Sequence, residues 1–276
     1  MEVISKEEKF DFKTALKIGA RTLVNCFIVI MFVASFIFVA FPRISLKMNN
    51  LLGLKKIKEL NYQMIYERSG KASDLYNVIL YECEMGDFDK ELAYIDEMIA
   101  RNDYADFCEG VDKASLESVK DKNLIPYSVN VNGYLLGRKV VCLYNLDLDG
   151  LDSYVYRQTK TGKLSEYSFT VYADLIYSDE SLTKSQKQEK FRILMEMIDS
   201  DGYSLEELLE TRVQGINDKI KIEDKSERKI SLQYTLTRIY RSRYYVYDIL
   251  GDEMKKQENN DLFVYARLKL NEMINL

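Results

Sequence analysis

The chain has 276 residues, 30% of them charged and 47% hydrophobic, the balance of a folded rather than a disordered protein. Its formal net charge of -5 argues against general nucleic-acid binding, which needs a basic face to neutralise phosphates. Histidine is absent, which removes the usual general base near neutral pH, the commonest neutral metal ligand, and every triad or zinc site built on imidazole.

Only 2 prolines and 12 glycines punctuate the chain, so long helices fit it better than a many-turned sandwich. The large aromatic surface comes from 21 Tyr and 12 Phe, with no Trp. Of 4 cysteines, Cys26 sits in an apolar run, leaving Cys83, Cys108 and Cys142 with no CxxC among them. Three cysteines cannot all pair within one chain, so they read as small buried groups on helices. There is no Walker A loop, GxGxxG, GxSxG or HExxH, and no cofactor or metal is expected.

In chain order, Met1–Arg21 is a charged arm that mixes Glu2, Glu7, Glu8 and Asp11 with Lys9, Lys13, Lys17 and Arg21. It reads as a solvated tail, or, through Phe10, Ala15, Leu16 and Ile18, as one lying on lipid headgroups. Thr22–Phe41 is uncharged throughout and closed by Pro42 and Arg43. About 20 such residues match the thickness of a bilayer's hydrocarbon core. A cleaved signal peptide fits less well, because cleavage after Ala40 would put Phe38 where a small side chain is needed. A lipoprotein signal at Cys26 would have Asn25 before it and the apolar run on its wrong side. The run therefore reads as a retained single-pass transmembrane helix, with the lipid bilayer as the chain's first partner.

Basic residues flank the span almost equally, Lys9 to Arg21 before it and Arg43, Lys47, Lys55 and Lys56 after it. A short charged arm resists export whereas a long domain translocates largely regardless of charge. The expected topology is thus N-in, C-out, in a cell membrane, with the soluble domain extracytoplasmic. The unpaired thiols argue the other way, since exported domains often avoid them.

Residues 42–58 read as a basic juxtamembrane linker that either follows the membrane surface or leads into the first helix. Residues 59–276 read as one all-helical soluble domain with no low-complexity break. The spacing predicts a helix from Lys55 to Arg68, ended by Ser69-Gly70, with Ser73 or Asp74 capping the next. Leu75–Ile99 carries apolar positions at helical spacing on both sides of Gly86-Asp87-Phe88-Asp89. That is the pattern of an antiparallel helix pair, with Gly86 easing the turn and Asp87 or Asp89 capping the second helix. The stretch resembles a tetratricopeptide repeat, with Tyr76, Asn77, Gly86, Asp87, Phe88 and Tyr94 where that family places such residues. Two positions depart from it: Ile79 replaces a small residue, and Glu91 replaces the alanine that opens the second helix. The resemblance implies an all-α, solenoid-like body and a protein-binding role.

Further helices are predicted at Tyr104–Val119, Val131–Leu146, Leu151–Gln158, Tyr167–Tyr177, Lys184–Ile198, Leu205–Ile222, Arg228–Leu250 and Leu262–Ile274. Asn123-Leu124-Ile125-Pro126 interrupts, and Asp147-Leu148-Asp149-Gly150 reads as a turn. Gly133 and Gly137 weaken the second of these segments, Val131–Leu146, as a helix. Thr183 with Gln186 and Ser204 with Glu207 fit capping boxes.

Three stretches invite a functional reading. Asp199-Ser200-Asp201-Gly202-Tyr203-Ser204-Leu205-Glu206-Glu207 has part of a calcium loop's alternating oxygens but not its full spacing, and Ser204 capping a helix explains it more simply. Asp147, Asp149, Gly150 and Asp152 form a similar partial cluster that lacks the bidentate ligand. Arg238–Leu250 interleaves Arg238, Arg241 and Arg243 with Tyr240, Tyr244, Tyr245 and Tyr247. Cations beside aromatic rings can bind an acidic protein partner, a glycan or single-stranded nucleic acid. On a helix, Ile239, Tyr240, Arg243, Tyr247 and Leu250 share one face, which equally suits packing with snorkelling arginines. The candidate partner-binding set is Arg238, Tyr240, Arg241, Arg243, Tyr244 and Tyr247.

The sequence thus points to a membrane-anchored, helical-repeat-like interaction or scaffold subunit with a protein partner and without nucleic acid. The alternatives are a surface enzyme using carboxylates on a helical toroid and a purely structural subunit of a membrane complex.

Overall fold

The computed structural model describes residues 12–274 apart from 54, 119–130 and 225. The start of the arm, Met1–Asp11, and the interruption at Asn123–Pro126 lie outside the described residues. The chain is all-α, with thirteen helices and no strand among the described residues. It divides into two compact units, Met1–Tyr81 and Glu82–Leu276.

The first unit holds α1 (Phe12–Ala40), α2 (Pro42–Leu52), α3 (Lys55–Ser69) and most of α4 (Ala72–Met85). The stretch Leu16–Ala40 of α1 is long and apolar enough to cross a membrane, and none of its most apolar window is buried. Helix α1 begins well before Thr22, because nothing between Lys13 and Arg21 breaks it. Thr22 does not cap; its hydroxyl donates back to the Ile18 carbonyl at 2.9 Å. Phe41 leaves the helical region (φ -131, ψ 63) and Pro42 opens α2, where its missing N–H costs nothing.

The expected linker at residues 42–58 is instead helical: α2, a left-handed Gly53 (φ 67) closing it, and the first turn of α3. Gly70 (φ 60) ends α3 as its sequence predicts. Helix α4 starts at Ala72, so Ser73 and Asp74 lie inside its first turn rather than capping it. Ser69 takes the connecting role, accepting from the Lys71 N–H at 3.2 Å and donating to Asp74 at 2.6 Å.

The second unit opens with a turn at Gly86 (φ 72), after which Asp87 caps α5 (Phe88–Ile99) by accepting from the Lys90 N–H at 3.3 Å. Then come α6 (Tyr104–Ser118), α7 (Val131–Leu146), α8 (Leu148–Lys160), α9 (Glu166–Ser178), α10 (Lys184–Glu196), α11 (Leu205–Ile222), α12 (Ser226–Leu250) and α13 (Glu253–Ile274). Both expected capping boxes form, at Thr183–Gln186 and Ser204–Glu207. Two boundaries differ from expectation. Asp147 is the N-cap of α8, so Leu148-Asp149-Gly150 is a first helical turn rather than a loop. Helix α13 begins at Glu253 rather than Leu262, because Gly251 (φ 79) ends α12 and the Asp252 side chain accepts from the Lys255 N–H at 3.1 Å.

Helix α9 is the centre of this unit, packed against α7, α8 and α12. Its Phe169, Tyr172, Ala173 and Ile176 are fully buried with Val140, Val155, Phe191, Leu194, Leu205, Leu209 and Val246. A smaller core joins Ile216 of α11, Leu236, Ile239 and Tyr240 of α12, and Ala266 of α13. Gly133 and Gly137 face α9, where a Cβ on Gly133 would stand 2.4 Å from the Tyr167 ring. Gly133, which weakens α7 in isolation, is what lets it approach α9 this closely. Cys108 and Cys142 are buried and Cys83 half-buried, all three as free thiols. Burial, reinforced by the Glu91 charge, pushes the Cys142 thiol far up.

Candidate functional site

The candidate set lies on α12, and the helix turns its members toward two different neighbours. On the side of α9, Asp174 receives Arg241 at 2.6 Å and Arg238 at 3.6 Å, with the Ser242 hydroxyl donating at 3.4 Å. One carboxylate meets two guanidinium groups here, which leaves local positive charge. The Arg241 guanidinium also lies 5.8 Å from the Tyr245 ring centre, and Arg238 lies 6.0 Å from that of Tyr167. Tyr245 stacks on Tyr177 at 4.0 Å with an interplanar angle of 11°, and Tyr244 flanks it at 5.7 Å. Burial beside the Asp248 carboxylate pushes the Tyr177 hydroxyl up to about 12.

On the side of α11 and α13, Tyr240, Arg243 and Tyr247 are buried with Ile239, and Leu250 is half-buried. The face that the helical spacing assigns to packing therefore does pack. Arg243 reaches Glu210 at 3.4 Å and Glu206 at 3.7 Å. Glu206 also accepts from the Tyr247 hydroxyl at 2.7 Å and pairs with Lys255 at 2.7 Å. The Nε atoms of Arg238, Arg241 and Arg243 are each buried without a hydrogen-bond partner, so neither cluster is saturated.

Tyr240 and Arg243 form the floor of a solvent-open groove of ≈ 410 Å³. Glu210, Gln214 and Asn217 of α11 line one wall, Glu258 and Leu262 of α13 the other, and Asp218 and Lys221 continue the α11 rim. The lining mixes carboxylates, amides, a phenol, two cations and aliphatic carbon. Such a surface recognises an extended polar segment by hydrogen bonds and ion pairs, whereas an enclosed apolar pocket would suit a small molecule. Helix α13 adds exposed apolar residues, Val264, Tyr265 and Leu268.

The structure thus brings Tyr240, Arg243 and Tyr247 together and puts Arg238, Arg241 and Tyr244 on the α9 side. Sequence reasoning did not connect the arginines with Asp174, Glu206 and Glu210, the acids that hold them, or with Lys255, which shares Glu206 with Arg243. The unusual density of Arg on a buried helix was the only signal of them. The acidic stretches have local duties. Asp199 accepts from the Asp201 and Tyr203 N–H groups at 2.9 and 2.8 Å, and Glu207 completes its capping box. Asp152 accepts from the Tyr172 hydroxyl at 2.8 Å and pairs with Lys190.

Glu206 gives this site a pH dependence. Burial raises its carboxyl, but the Lys255 ammonium, the Tyr247 hydroxyl and the Arg243 charge outweigh burial and hold it below the usual carboxylate range. A depressed carboxyl contributes stability above its unfolded pKa and loses it as pH falls through the folded one. The thermal midpoints of the parent chain and Glu206→Gln should therefore differ near neutrality and converge below about pH 4. Curves that stay parallel through that range would show that Glu206 has no such part.

The fold defines a class: an all-helical protein with, among the described residues, one N-terminal helix long and apolar enough to cross a membrane. Comparison with protein-family models, with curated proteins and with solved structures finds no match to this chain.

Proposed function

We propose that the chain is a single-pass membrane protein whose helical body, held outside the cytoplasm, acts as an interaction or scaffold subunit for a protein partner. The observation that carries this is the groove of α11, α12 and α13, open to solvent and floored by Tyr240 and Arg243. Tyr and Arg are the residue types that concentrate binding energy at protein interfaces. The exposed Val264, Tyr265 and Leu268 on α13 support the same reading. So does the tetratricopeptide-like stretch Leu75–Ile99, since helix pairs of that kind present binding surfaces. The apolar length of α1 supports the anchor.

A photoreactive residue placed at Gln214 or Asn217 tests it, because both line the groove. Irradiated cells carrying the full chain should yield one defined protein adduct from either position. Exposed Lys160, outside the groove, should not yield it. Equal adducts from Lys160, or none from the groove, would count against an interaction role for this surface.

A further inference from the structure

Helix α2 is built inside out. After Pro42, its buried strip is polar: Ser45 and Asn49 are each 6% exposed. The Ser45 hydroxyl accepts from the Asn49 amide and from the Asn61 amide of α3, both at 3.2 Å. Its outward face carries Ile44 and Met48, one turn apart and 53% and 49% exposed, beside Arg43 and Lys47, also one turn apart and exposed. Phe41, at the junction with α1, is 50% exposed. In water this arrangement hydrates aliphatic carbon, and it leaves the Asn61 Oδ1 buried without a hydrogen-bond partner.

The position of α2 gives the arrangement a physical purpose. Only Phe41 separates α2 from the last residue of α1. Arg68, near the end of α3, donates to the Val39 and Ala40 carbonyls, the orphan acceptors at the C-terminal end of α1. Arg43 pairs with Asp74 at 3.4 Å. The α2–α3 pair is thereby fastened at the point where the apolar helix ends, and Ile44 and Met48 lie in the first two turns of the helix that follows. A notch of ≈ 310 Å³ lined by Phe41, Pro42, Ile44, Ile65 and Arg68 opens at the same place.

From this we infer that α2 is an interfacial helix. Ile44 and Met48 enter the boundary between acyl chains and headgroups, and the Arg43–Lys47 strip engages anionic phospholipid. The inference rests on reading α1 as a membrane span and not on which side the body lies: it applies to whichever leaflet meets α2, provided that leaflet carries anionic phospholipid. Cations beside an apolar strip on a helix running out of a bilayer complement a negatively charged membrane surface rather than a second copy of themselves.

The chain contains no Trp, so a single introduced indole reports without background. Full-length Met48→Trp, Asn50→Trp and Phe32→Trp would be reconstituted in phosphatidylcholine–phosphatidylglycerol vesicles, with Ile44→Trp as a second reporter should Met48→Trp misfold. Lipids brominated near the carbonyl end should quench Met48→Trp about threefold more than Asn50→Trp, and this should weaken when phosphatidylglycerol is omitted. Deep bromines should quench Phe32→Trp. Quenching at Phe32 with none at Met48 or Ile44 would overturn the interfacial helix and leave the span intact. No quenching at Phe32 would overturn the membrane reading itself. A blue-shifted, unquenched Met48→Trp signal that depends on protein density would assign the face to a second copy and overturn the inference. Quenching indifferent to phosphatidylglycerol would overturn its anionic-lipid part.

Discussion

Arg138→Ala should destabilise the helical body by about 3–5 kcal/mol, the cost of leaving a buried charge without its partner. Glu91 of α5 is fully buried, and both its oxygens accept from the Arg138 guanidinium of α7 at 2.7 Å. Glu91 in turn holds the Arg138 guanidinium well above its ordinary value, against the opposing effect of burial. Truncating Arg138 strands a carboxylate with no route to water. Truncating Glu91 strands a guanidinium that is 20% exposed and can still be hydrated, so Glu91→Ala should cost less. Arg138→Lys should fall between, since an ammonium cannot reproduce the two-point fork. Replacing both residues by Met should recover most of the loss. Denaturant titration of the full chain in detergent, followed by circular dichroism, measures all four. An Arg138→Ala chain as stable as its parent would show that the pair does not fasten α5 to α7, and equal losses for Arg138→Ala and Glu91→Ala would show that the partial exposure of Arg138 gives no relief.

Gly133→Ala should destabilise by about 1–3 kcal/mol, although alanine is the better helix former by nearly 1 kcal/mol. The added methyl would stand 2.4 Å from Cδ2 and 2.9 Å from Cε2 of Tyr167. That ring has little freedom to yield: Tyr167 is 7% exposed, and its hydroxyl lies 3.5 Å from that of Thr235. Gly137→Ala is the control on the same helix. Its methyl would meet Val171 at 3.4 Å and the Tyr167 Cβ at 3.8 Å, close to ordinary contact, so it should be neutral or slightly stabilising. Thermal midpoints of the two variants should therefore move apart. A Gly133→Ala chain as stable as its parent would mean that α7 and α9 are not held this closely.

These two sites also show what a sequence can and cannot display. Local signals were readable because they act over one turn. Gly86 and Asp87, Gly70, and the boxes at Thr183 and Ser204 set helix ends through hydrogen bonds within a few residues. Pairings across the fold were not. Arg138 meets Glu91 across 47 residues and Arg241 meets Asp174 across 67, distances over which charge pattern carries no register. Gly133 looked like a defect because its value depends on a facing helix. Glu91 left a trace, as a charge where the repeat-like pattern wants alanine, and such a residue requires a buried counter-charge. On α12, the helical face through Ile239, Tyr240, Arg243 and Tyr247 was legible, but the acids that hold its arginines come from α9 and α11. The inversion of α2 was hidden because Ser45, which Asn49 also bonds, is held inward by Asn61, a residue of the next helix.

The side of the membrane occupied by the helical body tests the account most directly. Met254 is 78% exposed, so Met254→Cys, in a chain with Cys26 and Cys83 replaced by Ala, offers one accessible thiol beside the buried Cys108 and Cys142. With an impermeant maleimide, intact cells should label Met254→Cys as fully as lysed cells do. Labelling that appears only after lysis would put the body on the cytoplasmic side and contradict the proposed topology.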